Sequence, residues 1–219
     1  MFGIGFTELI VLAVVVFIVI GVGLALRGRS GVTGPKVRLQ HPRFREALIA
    51  DALTTLSWRN ERYEYLSRTD ILWHILRLMW VSDAFFAQAC YRAKARLQGL
   101  GVPVLPMIFH RLAMATSQVC IGDLVVVQPG IYIAHGQVVV DGFSRIESGV
   151  ILFPWVTIGL RAGNFQGPTI HQGVHIGTGA KVIGPITIGS GARIGANAVV
   201  LADVPSGVTV VGVPARQVP

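Results

Sequence analysis

The chain is short of cysteine and of acidic side chains, and each shortage excludes a class of protein. Cys90 and Cys120 make neither the disulfide framework of a small secreted domain nor a zinc-binding pair. Eleven acidic residues against nineteen basic ones give a net charge of +8, yet no nucleic-acid-binding motif accompanies it. With 52% hydrophobic residues in 219, the chain can bury a full core. We expect one or two domains in a reducing compartment and no nucleic-acid partner.

The start of the chain lacks the basic residues that open a secretory signal peptide, since its one early charge is Glu8. Leu9 to Leu26 is an unbroken run of eighteen uncharged, mostly apolar residues, about 27 Å long as a helix. Four basic residues follow it: Arg27, Arg29, Lys36 and Arg38. The pattern predicts a transmembrane anchor over 1–27, a basic linker over 28–42, and a single-pass inner (cytoplasmic) membrane protein with residues 28–219 in the cytoplasm.

The middle of the chain, residues 43–118, has the pattern of an α-helical domain. One helix is predicted from Pro42 to about Ser67, and a second from an N-cap at Asp70 to about Leu97. The second is apolar at its start and basic at its end. It is interpreted either as buried in an oligomer interface or as lying on the bilayer surface with its basic end at the headgroups. Pro103 and Pro106 are expected to open a third, short helix.

Residues 119–219 repeat every six residues, which predicts a parallel β-helix. Only two spacings break the period, seven residues from Val139 to Ile146 and twelve from Ile158 to Ile170. Gly-x-Gly sequences such as Gly177-Thr-Gly179 suit the tight corners, because glycine adopts positive φ at low cost. The repeated aliphatic positions are Ile121, Val127, Ile133, Val139, Ile146, Leu152, Ile158, Ile170, Ile176, Val182, Ile188, Ile194 and Val200.

From Tyr91 to the end, the chain resembles the serine acetyltransferases and related hexapeptide-repeat acyltransferases. The segments that carry the resemblance are Gly130-Ile-Tyr-Ile-Ala-His135-Gly, Val156-Thr-Ile-Gly159, Ile176-Gly-Thr-Gly-Ala-Lys-Val-Ile-Gly184 and Val211-Gly-Val-Pro-Ala-Arg216. The resemblance implies an α+β chain in which a helical domain precedes a left-handed β-helix. It also implies a homotrimer, or a hexamer of two trimers, with active sites between neighbouring subunits and acetyl-CoA as the donor.

The resemblance makes His135 the catalytic base, and histidine is the usual base for activating a hydroxyl near neutral pH. The family's orienting carboxylate, fifteen residues earlier, is replaced by Cys120, so we expect a backbone carbonyl, Asp123 or Asp141 to orient the imidazole. Ala134 replaces a carboxylate that helps to hold serine. The Arg-His pair that grips the serine carboxylate falls on Gln166-Gly167, which removes a bidentate partner.

These departures favour a sugar or glycan-precursor hydroxyl as the acceptor, with serine as the alternative. The residues predicted to bind the acceptor are Asp141, Asn164 and Gln166. The residues matched to acetyl-CoA contacts, or offered as partners for the nucleotide phosphates, are Leu160, Arg161, His175, Thr178, Lys181, Arg193, Ala196 and Arg216.

Three further interpretations remain. His135, His171 and His175 are the histidines to test for zinc, because related β-helix carbonic anhydrases bind it through three histidines, but the spacing of the last two departs from that pattern, and no metal is expected. A non-catalytic β-helix scaffold is the second. The third is that residues 1–9 resemble the start of small twin-arginine translocase subunits, whose next helix is missing here.

Overall fold

The computed structural model describes residues 39–61 and 67–218, in which a helical segment precedes a parallel β-helix. The predicted left-handed β-helix with a helical domain before it is therefore confirmed. The anchor predicted over 1–27, and the linker up to residue 38, lie outside the described residues. Of the helices formed within the described ranges, none has both the length and the apolar character needed to cross a bilayer.

The helical segment contains four helices, α1 (Phe44–Trp58), α2 (Arg68–Val81), α3 (Asp83–Gly99) and α4 (Leu105–Ser117). The prediction of one helix over 71–97 is wrong, because Ser82 separates two helices in this range. The backbone there is extended (φ −135°, ψ 101°), and the Ser82 hydroxyl accepts from the Phe85 amide at 3.3 Å. A serine side chain that satisfies a free amide in this way starts a new helix instead of continuing the old one.

The start of α2 also differs from the prediction, because Ser67 and not Asp70 is the N-cap. The Asp70 amide donates to the Ser67 hydroxyl at 3.2 Å, and the Ser67 amide donates to the Asp70 carboxylate at 3.0 Å. This reciprocal pair is a capping box, in which the acidic residue occupies the third helical position. Asp70, which the sequence suggested as the N-cap, is thus the acidic partner in the box, and Ser67 is the N-cap itself.

The β-helix is a three-sided prism of short parallel strands. Sheet A has the strand order β1-β4-β7-β10-β13, sheet B β11-β8-β5-β2 and sheet C β15-β14-β12-β9-β6-β3. The strands are β1 (Cys120–Ile121), β2 (Val126–Val127), β3 (Tyr132–Ile133), β4 (Val139–Val140), β5 (Phe143–Ile146), β6 (Ile151–Leu152), β7 (Thr157–Gly159), β8 (Gln166–Ile170), β9 (His175–Ile176), β10 (Lys181–Ile183), β11 (Thr187–Ile188), β12 (Arg193–Ile194), β13 (Val199–Val200), β14 (Thr209–Val211) and β15 (Arg216–Gln217).

The additional residue that makes one step seven residues long lies one corner of the prism earlier than the spacing of the apolar residues predicts. Val140, not Val139, points into the core, where it is paired in register with Ile121 and Ile158. Val139 is 39% exposed and pairs with Thr157 on the outer face. The seven-residue step therefore runs from Ile133 to Val140, and the corner between them holds the additional residue. A run of three valines gives the same apolar signal in either register, so sequence spacing alone could not place it.

Helix α3 closes the first coil of the β-helix with buried polar side chains. Tyr91 donates to the Val125 carbonyl at 2.9 Å, and Arg92 donates to the Val127 and Gln128 carbonyls at 2.5 and 2.8 Å. Two more donors complete the cap: Gln88 to the Ile131 carbonyl and Lys94 to the Ile121 carbonyl. Of the two interpretations of this helix, the one in which its basic end meets lipid headgroups is wrong for Arg92 and Lys94, because both are buried. At the other end, β15 pairs antiparallel with β14.

Candidate active site

The predicted base, His135, is exposed on one edge of the prism, where the chain turns from sheet C to sheet A. We call this the His135 edge; it comprises residues 134–138, 153–156, 177–180 and 195–198. Backbone hydrogen bonds stack successive turns, as from the Ala134 amide to the Leu152 carbonyl at 3.0 Å. The imidazole is therefore presented to solvent by a rigid repeat and not by a free loop.

The end of α4 holds the turn that carries His135. The Gln137 amide donates to the Ser117 carbonyl at 2.8 Å, and Gln137 adopts a left-handed conformation with φ 59°. A Cβ atom at Gly136 would overlap the same Ser117 carbonyl, so this close approach requires glycine. The residue next to the predicted base is thus fixed by contact with the helical segment.

The residues matched to acetyl-CoA contacts fall in several places. Thr178 and Ala196 lie on the His135 edge, two and three coils beyond His135 respectively. His175 and Arg193 occupy paired outward positions of β9 and β12 in sheet C, beside that edge. Lys181 lies on β10 in sheet A, on its other side. These five residues therefore surround one edge of a single chain.

Five of the other predicted site residues lie on a different edge, where the chain passes from sheet A to sheet B, whereas Arg216 lies on β15 in sheet C. We call this the Asp141 edge; it comprises residues 122–125, 141–142 and 160–166. Its most prominent part is the insertion of the twelve-residue step, in which Phe165 is 72% exposed. The predicted residues on it are Asp141, Leu160, Arg161, Asn164 and Gln166.

Sheet A separates the two edges, so one chain does not bring the predicted base and the predicted acceptor residues together. A site that uses both groups requires the His135 edge of one chain and the Asp141 edge of another. This is the arrangement that the resemblance implies for active sites between subunits.

His175 is covered by an aromatic contact that sequence reasoning missed. Trp58, the last residue of α1, stacks on Tyr132 with ring centroids 5.5 Å apart, and its indole packs edge-on against His175 at 5.8 Å. Burial, with a contribution from Arg193, lowers the pKa of His175. No sequence signal marked Trp58, because more than a hundred residues separate it from His175.

The four basic side chains predicted to bind the nucleotide phosphates differ in whether they donate hydrogen bonds to backbone carbonyls. The Lys181 ammonium donates to the Trp155 carbonyl at 2.6 Å. Arg161 reaches the Leu201 carbonyl at 3.4 Å, and Arg216 donates to the carbonyl of its own neighbour at 3.2 Å. Arg193 is exposed on β12. Three of these four side chains thus donate to backbone carbonyls. The guanidinium groups have further N–H donors that are available to an anion.

A cavity of about 580 Å³ lies between helices α3 and α4 and the first strands of sheet A. Its polar wall contains Cys120, Asp141, Asp123, Lys94 and His110. Lys94 and Asp123 form an ion pair at 2.9 Å, so their charges offset each other. Burial, together with Lys94, lowers the pKa of His110, which favours its neutral form. The net charge of these groups near neutral pH is therefore carried by Asp141.

Cys120 takes the place of the family's orienting carboxylate and lies beside the His135 turn. Its amide donates at 2.8 Å to the carbonyl of Val138, three residues after His135. Burial raises the pKa of the Cys120 thiol, while Lys94 opposes that effect. The thiol is neutral at neutral pH and is a weak hydrogen-bond acceptor.

The two carboxylates proposed to replace it are otherwise engaged. Asp123 accepts from Lys94, and Asp141 accepts from the Gly142 amide at 2.7 Å. In residues 39–61 and 67–218, neither forms a hydrogen bond to His135. Both lie on the Asp141 edge, so either would meet the imidazole of a neighbouring chain and not its own.

The position matched to the family's serine-binding histidine has no room for a side chain. A Cβ atom at Gly167 would overlap the Ser144 hydroxyl and lie 3.1 Å from the Asp141 carbonyl oxygen. Ser144 itself is anchored by donating to that carbonyl at 2.6 Å. Gln166, matched to the arginine, is exposed. In this chain, Ser144 therefore occupies the space that a side chain at position 167 would need.

The three histidines considered for zinc face different neighbours. His171 Nδ1 lies 3.1 Å from the Glu147 carboxylate, whereas His175 packs against Trp58, and His135 projects from its edge. In the part of the chain that the structure describes, no three His, Cys, Asp or Glu side chains are placed to hold a metal ion.

A parallel β-helix of six-residue repeats, with an exposed histidine on one edge, is the arrangement expected of a hexapeptide-repeat transferase. Residues 167–202 match the family model "Bacterial transferase hexapeptide (six repeats)". The chain is 35% identical over 150 residues to a serine acetyltransferase of Helicobacter pylori strain J99, a match that covers 67% of this chain and 85% of the relative. The chain belongs to the serine acetyltransferase family.

Two further similarities show how far the match extends. A serine acetyltransferase of Buchnera aphidicola is 40% identical over 138 residues, covering 61% of this chain and 50% of the relative. A solved serine acetyltransferase in complex with CoA has a TM-score of 0.65 and 30% identity, covering 78% of this chain and 68% of that one. The chain thus spans about half the length of several curated relatives that it matches.

Proposed function

We propose that this protein is an acetyl-CoA-dependent O-acetyltransferase in which His135 is the general base. The observation that carries the proposal is the exposed position of His135 on a rigid edge, in a chain of the serine acetyltransferase family. Thr178 and Ala196 lie on the same edge in later coils. This position supports their proposed role in binding the donor along the stack.

The reaction moves one acetyl group and one proton. The His135 imidazole accepts the proton of the acceptor hydroxyl as its oxygen attacks the thioester carbonyl. The tetrahedral intermediate collapses by breaking the carbon–sulfur bond, and the imidazolium returns the proton to the departing CoA thiolate. Backbone amides at the turns of the edge are suitable donors for the developing oxyanion.

Free serine is the first candidate acceptor, because the relatives are named serine acetyltransferases. Their names do not support the sequence-based preference for a sugar hydroxyl. The solved relative named above is a complex with CoA, which supports acetyl-CoA as the donor here.

A sugar hydroxyl is the second candidate, and the packing around Gly167 favours it. Ser144 fills the space next to Gly167, Gln166 replaces the arginine, and Asp141 leaves the neighbouring cavity with a negative charge. These groups offer no cation to a free carboxylate, but they offer several hydrogen-bond acceptors to hydroxyl groups.

We propose a trimer as the working assembly, or a hexamer if two trimers pair. The separation of the His135 edge from the Asp141 edge supports this, because two chains are needed to complete the site. We also propose that residues 9–26 anchor the protein in the inner membrane with the β-helix in the cytoplasm. The uncharged run and the basic residues after it support this proposal.

The test is acetyl transfer by the purified full chain, followed as loss of thioester absorbance with serine or a nucleotide-linked sugar. Loss of transfer in His135→Ala, with retention in His171→Ala, is the expected result for the base. Faster transfer to serine selects the first acceptor, and faster transfer to the sugar selects the second. Transfer to neither acceptor, with no stabilisation of the protein by acetyl-CoA, contradicts the proposed activity and favours a scaffold.

A further inference from the structure

Helix α2 presents a row of large apolar side chains to solvent. Trp80 is 89% exposed, Trp73 65%, Leu72 58% and Leu76 54%. Positions 72, 76 and 80 are four residues apart, with 73 beside them, so they lie on one face of the helix. We call these four residues the α2 face.

The opposite face of α2 is already used for packing. Ile75 and Leu78 are buried in a cluster with Leu56 of α1 and Phe85 of α3. The α2 face therefore takes no part in the core of the helical segment. Contiguous exposed apolar surface of this kind marks an interaction site, whereas isolated exposed leucines need no explanation.

The chemistry of the α2 face suits a phospholipid surface. Tryptophan is enriched where hydrocarbon meets water, because its indole is largely apolar but carries one polar N–H. Two of the charges on α2 are engaged elsewhere: Arg77 pairs with Glu61, and Asp70 is held in the capping box. Arg68, at the start of α2, is exposed and adds a positive charge that anionic headgroups attract.

The length of the linker places α2 within reach of a membrane. Twelve residues, 27–38, separate the apolar run from the first described residue, and twelve extended residues span at most about 43 Å. The chain then enters α1, which packs against α2 through Leu56 and Leu78. An anchor at 9–26 would hold this pair of helices close to the bilayer.

We infer that the α2 face rests on the phospholipid surface of the membrane in which residues 9–26 are anchored. The inference depends on the anchor proposed above, and it makes α2 a second, parallel contact. The anchor alone does not set the orientation of the β-helix relative to the membrane, while an additional contact through α2 fixes it. Burial of the α2 face in headgroups supplies the apolar contact that the solvent-exposed helix lacks.

Lipid quenching in proteoliposomes of the full chain tests the inference. Single-tryptophan variants retain Trp73, Trp80 or Trp155, and phenylalanine replaces the others. Trp155 is the matched control, because it is 58% exposed but lies on the β-helix. Lipids with a quencher near the headgroup are expected to quench Trp73 and Trp80 at least about twofold more than Trp155.

The double substitution Leu72→Ser and Leu76→Ser is expected to reduce the quenching of Trp80 in the variant that retains only that tryptophan. In the chain that keeps all its tryptophans, the same double substitution is expected to leave acetyl transfer intact. Equal quenching of all three tryptophans would overturn the inference. So would protection of Trp80 from aqueous acrylamide without lipid quenching, because a second copy of the chain would then cover the α2 face.

Flotation of the same vesicles separates the two membrane proposals. A chain that floats without excess quenching keeps the anchor and loses the α2 contact. A chain that neither floats nor is quenched loses both, while its acetyl transfer still reports on the enzyme.

Discussion

Asp51 of α1 and Arg92 of α3 form a buried ion pair that ties the helices to the β-helix. Arg92 Nε lies 2.8 Å from Asp51 Oδ2, and both side chains are almost completely excluded from solvent. Asp51 also accepts from the Gly130 amide at 2.8 Å, while Arg92 donates to carbonyls of the same coil. The pair therefore satisfies backbone groups at the end of the stack as well as each other.

Asp51→Ala is expected to destabilise the fold by about 3–5 kcal/mol, because it leaves the Arg92 charge buried without a partner. Urea unfolding measures the loss. Glu46→Ala is the control, since Glu46 pairs with Arg43 on the surface at 3.2 Å. Equal stability of the two variants would contradict the buried-pair account.

His135→Ala is expected to lower acetyl transfer by about 10²–10⁴-fold while leaving acetyl-CoA affinity largely unchanged. The imidazole is proposed to supply the proton transfer, whereas the donor is proposed to contact later coils as well. Initial rates and calorimetric binding distinguish the two effects. An unchanged rate would remove His135 from the mechanism.

Cys120→Asp is expected to raise the rate of acetyl transfer, because a carboxylate stabilises an imidazolium that the neutral thiol does not. Cys120→Asn is the matched control, since it has a similar shape and no charge. The pH dependence of kcat provides a second measurement, in which only the aspartate variant should shift. A rate increase in both variants would point to size and not to charge.

Gly167→Ala is expected to cost about 1–3 kcal/mol, because its Cβ overlaps the Ser144 hydroxyl. Adding Ser144→Gly should recover most of that stability. Gly159→Ala is the control in the same coil, since a Cβ there meets nothing closer than 3.9 Å. Thermal melts of the four proteins test the packing, and failure of the double variant to recover stability would contradict it.

His175 is expected to make the fold less stable as the pH falls. Its pKa is lowered in the folded state, whereas the unfolded chain keeps the ordinary value of about 6.5. The unfolded chain therefore binds the proton more tightly. The stability that neutral His175 contributes is present above that pH and declines below it. His175→Asn should flatten the change in unfolding free energy between pH 7 and pH 5, relative to the unsubstituted chain.

The β-helix was predictable because each coil repeats the same apolar signal, but its register was not. The sequence does not distinguish Val138, Val139 and Val140, because all three are valine. Only the pairing with Ile121 and Ile158 shows which of them is the repeat position that turns inward. The break at Ser82 was missed for a similar reason. A serine within an apolar helical pattern interrupts it only when its hydroxyl caps the next helix.

The candidate site was only partly predictable. Sequence matching identified His135 and the loss of the Arg-His pair, since both depend on residue identity. It could not show that Ser144 fills the space beside Gly167, or that Trp58 covers His175. Those contacts join segments far apart in the chain, and the burial of Lys94 likewise depends on a coil that follows it.

The polar cap of α3 and the antiparallel β15 set the length of this solenoid. A stack of parallel strands offers unpaired amides and carbonyls at each end, and these can template another coil or another molecule. Here the lower end is occupied by side chains such as Arg92 and Lys94, and β15 folds back over part of the upper end. Head-to-tail growth into fibres is thereby opposed, which leaves the sides of the prism for the association proposed above.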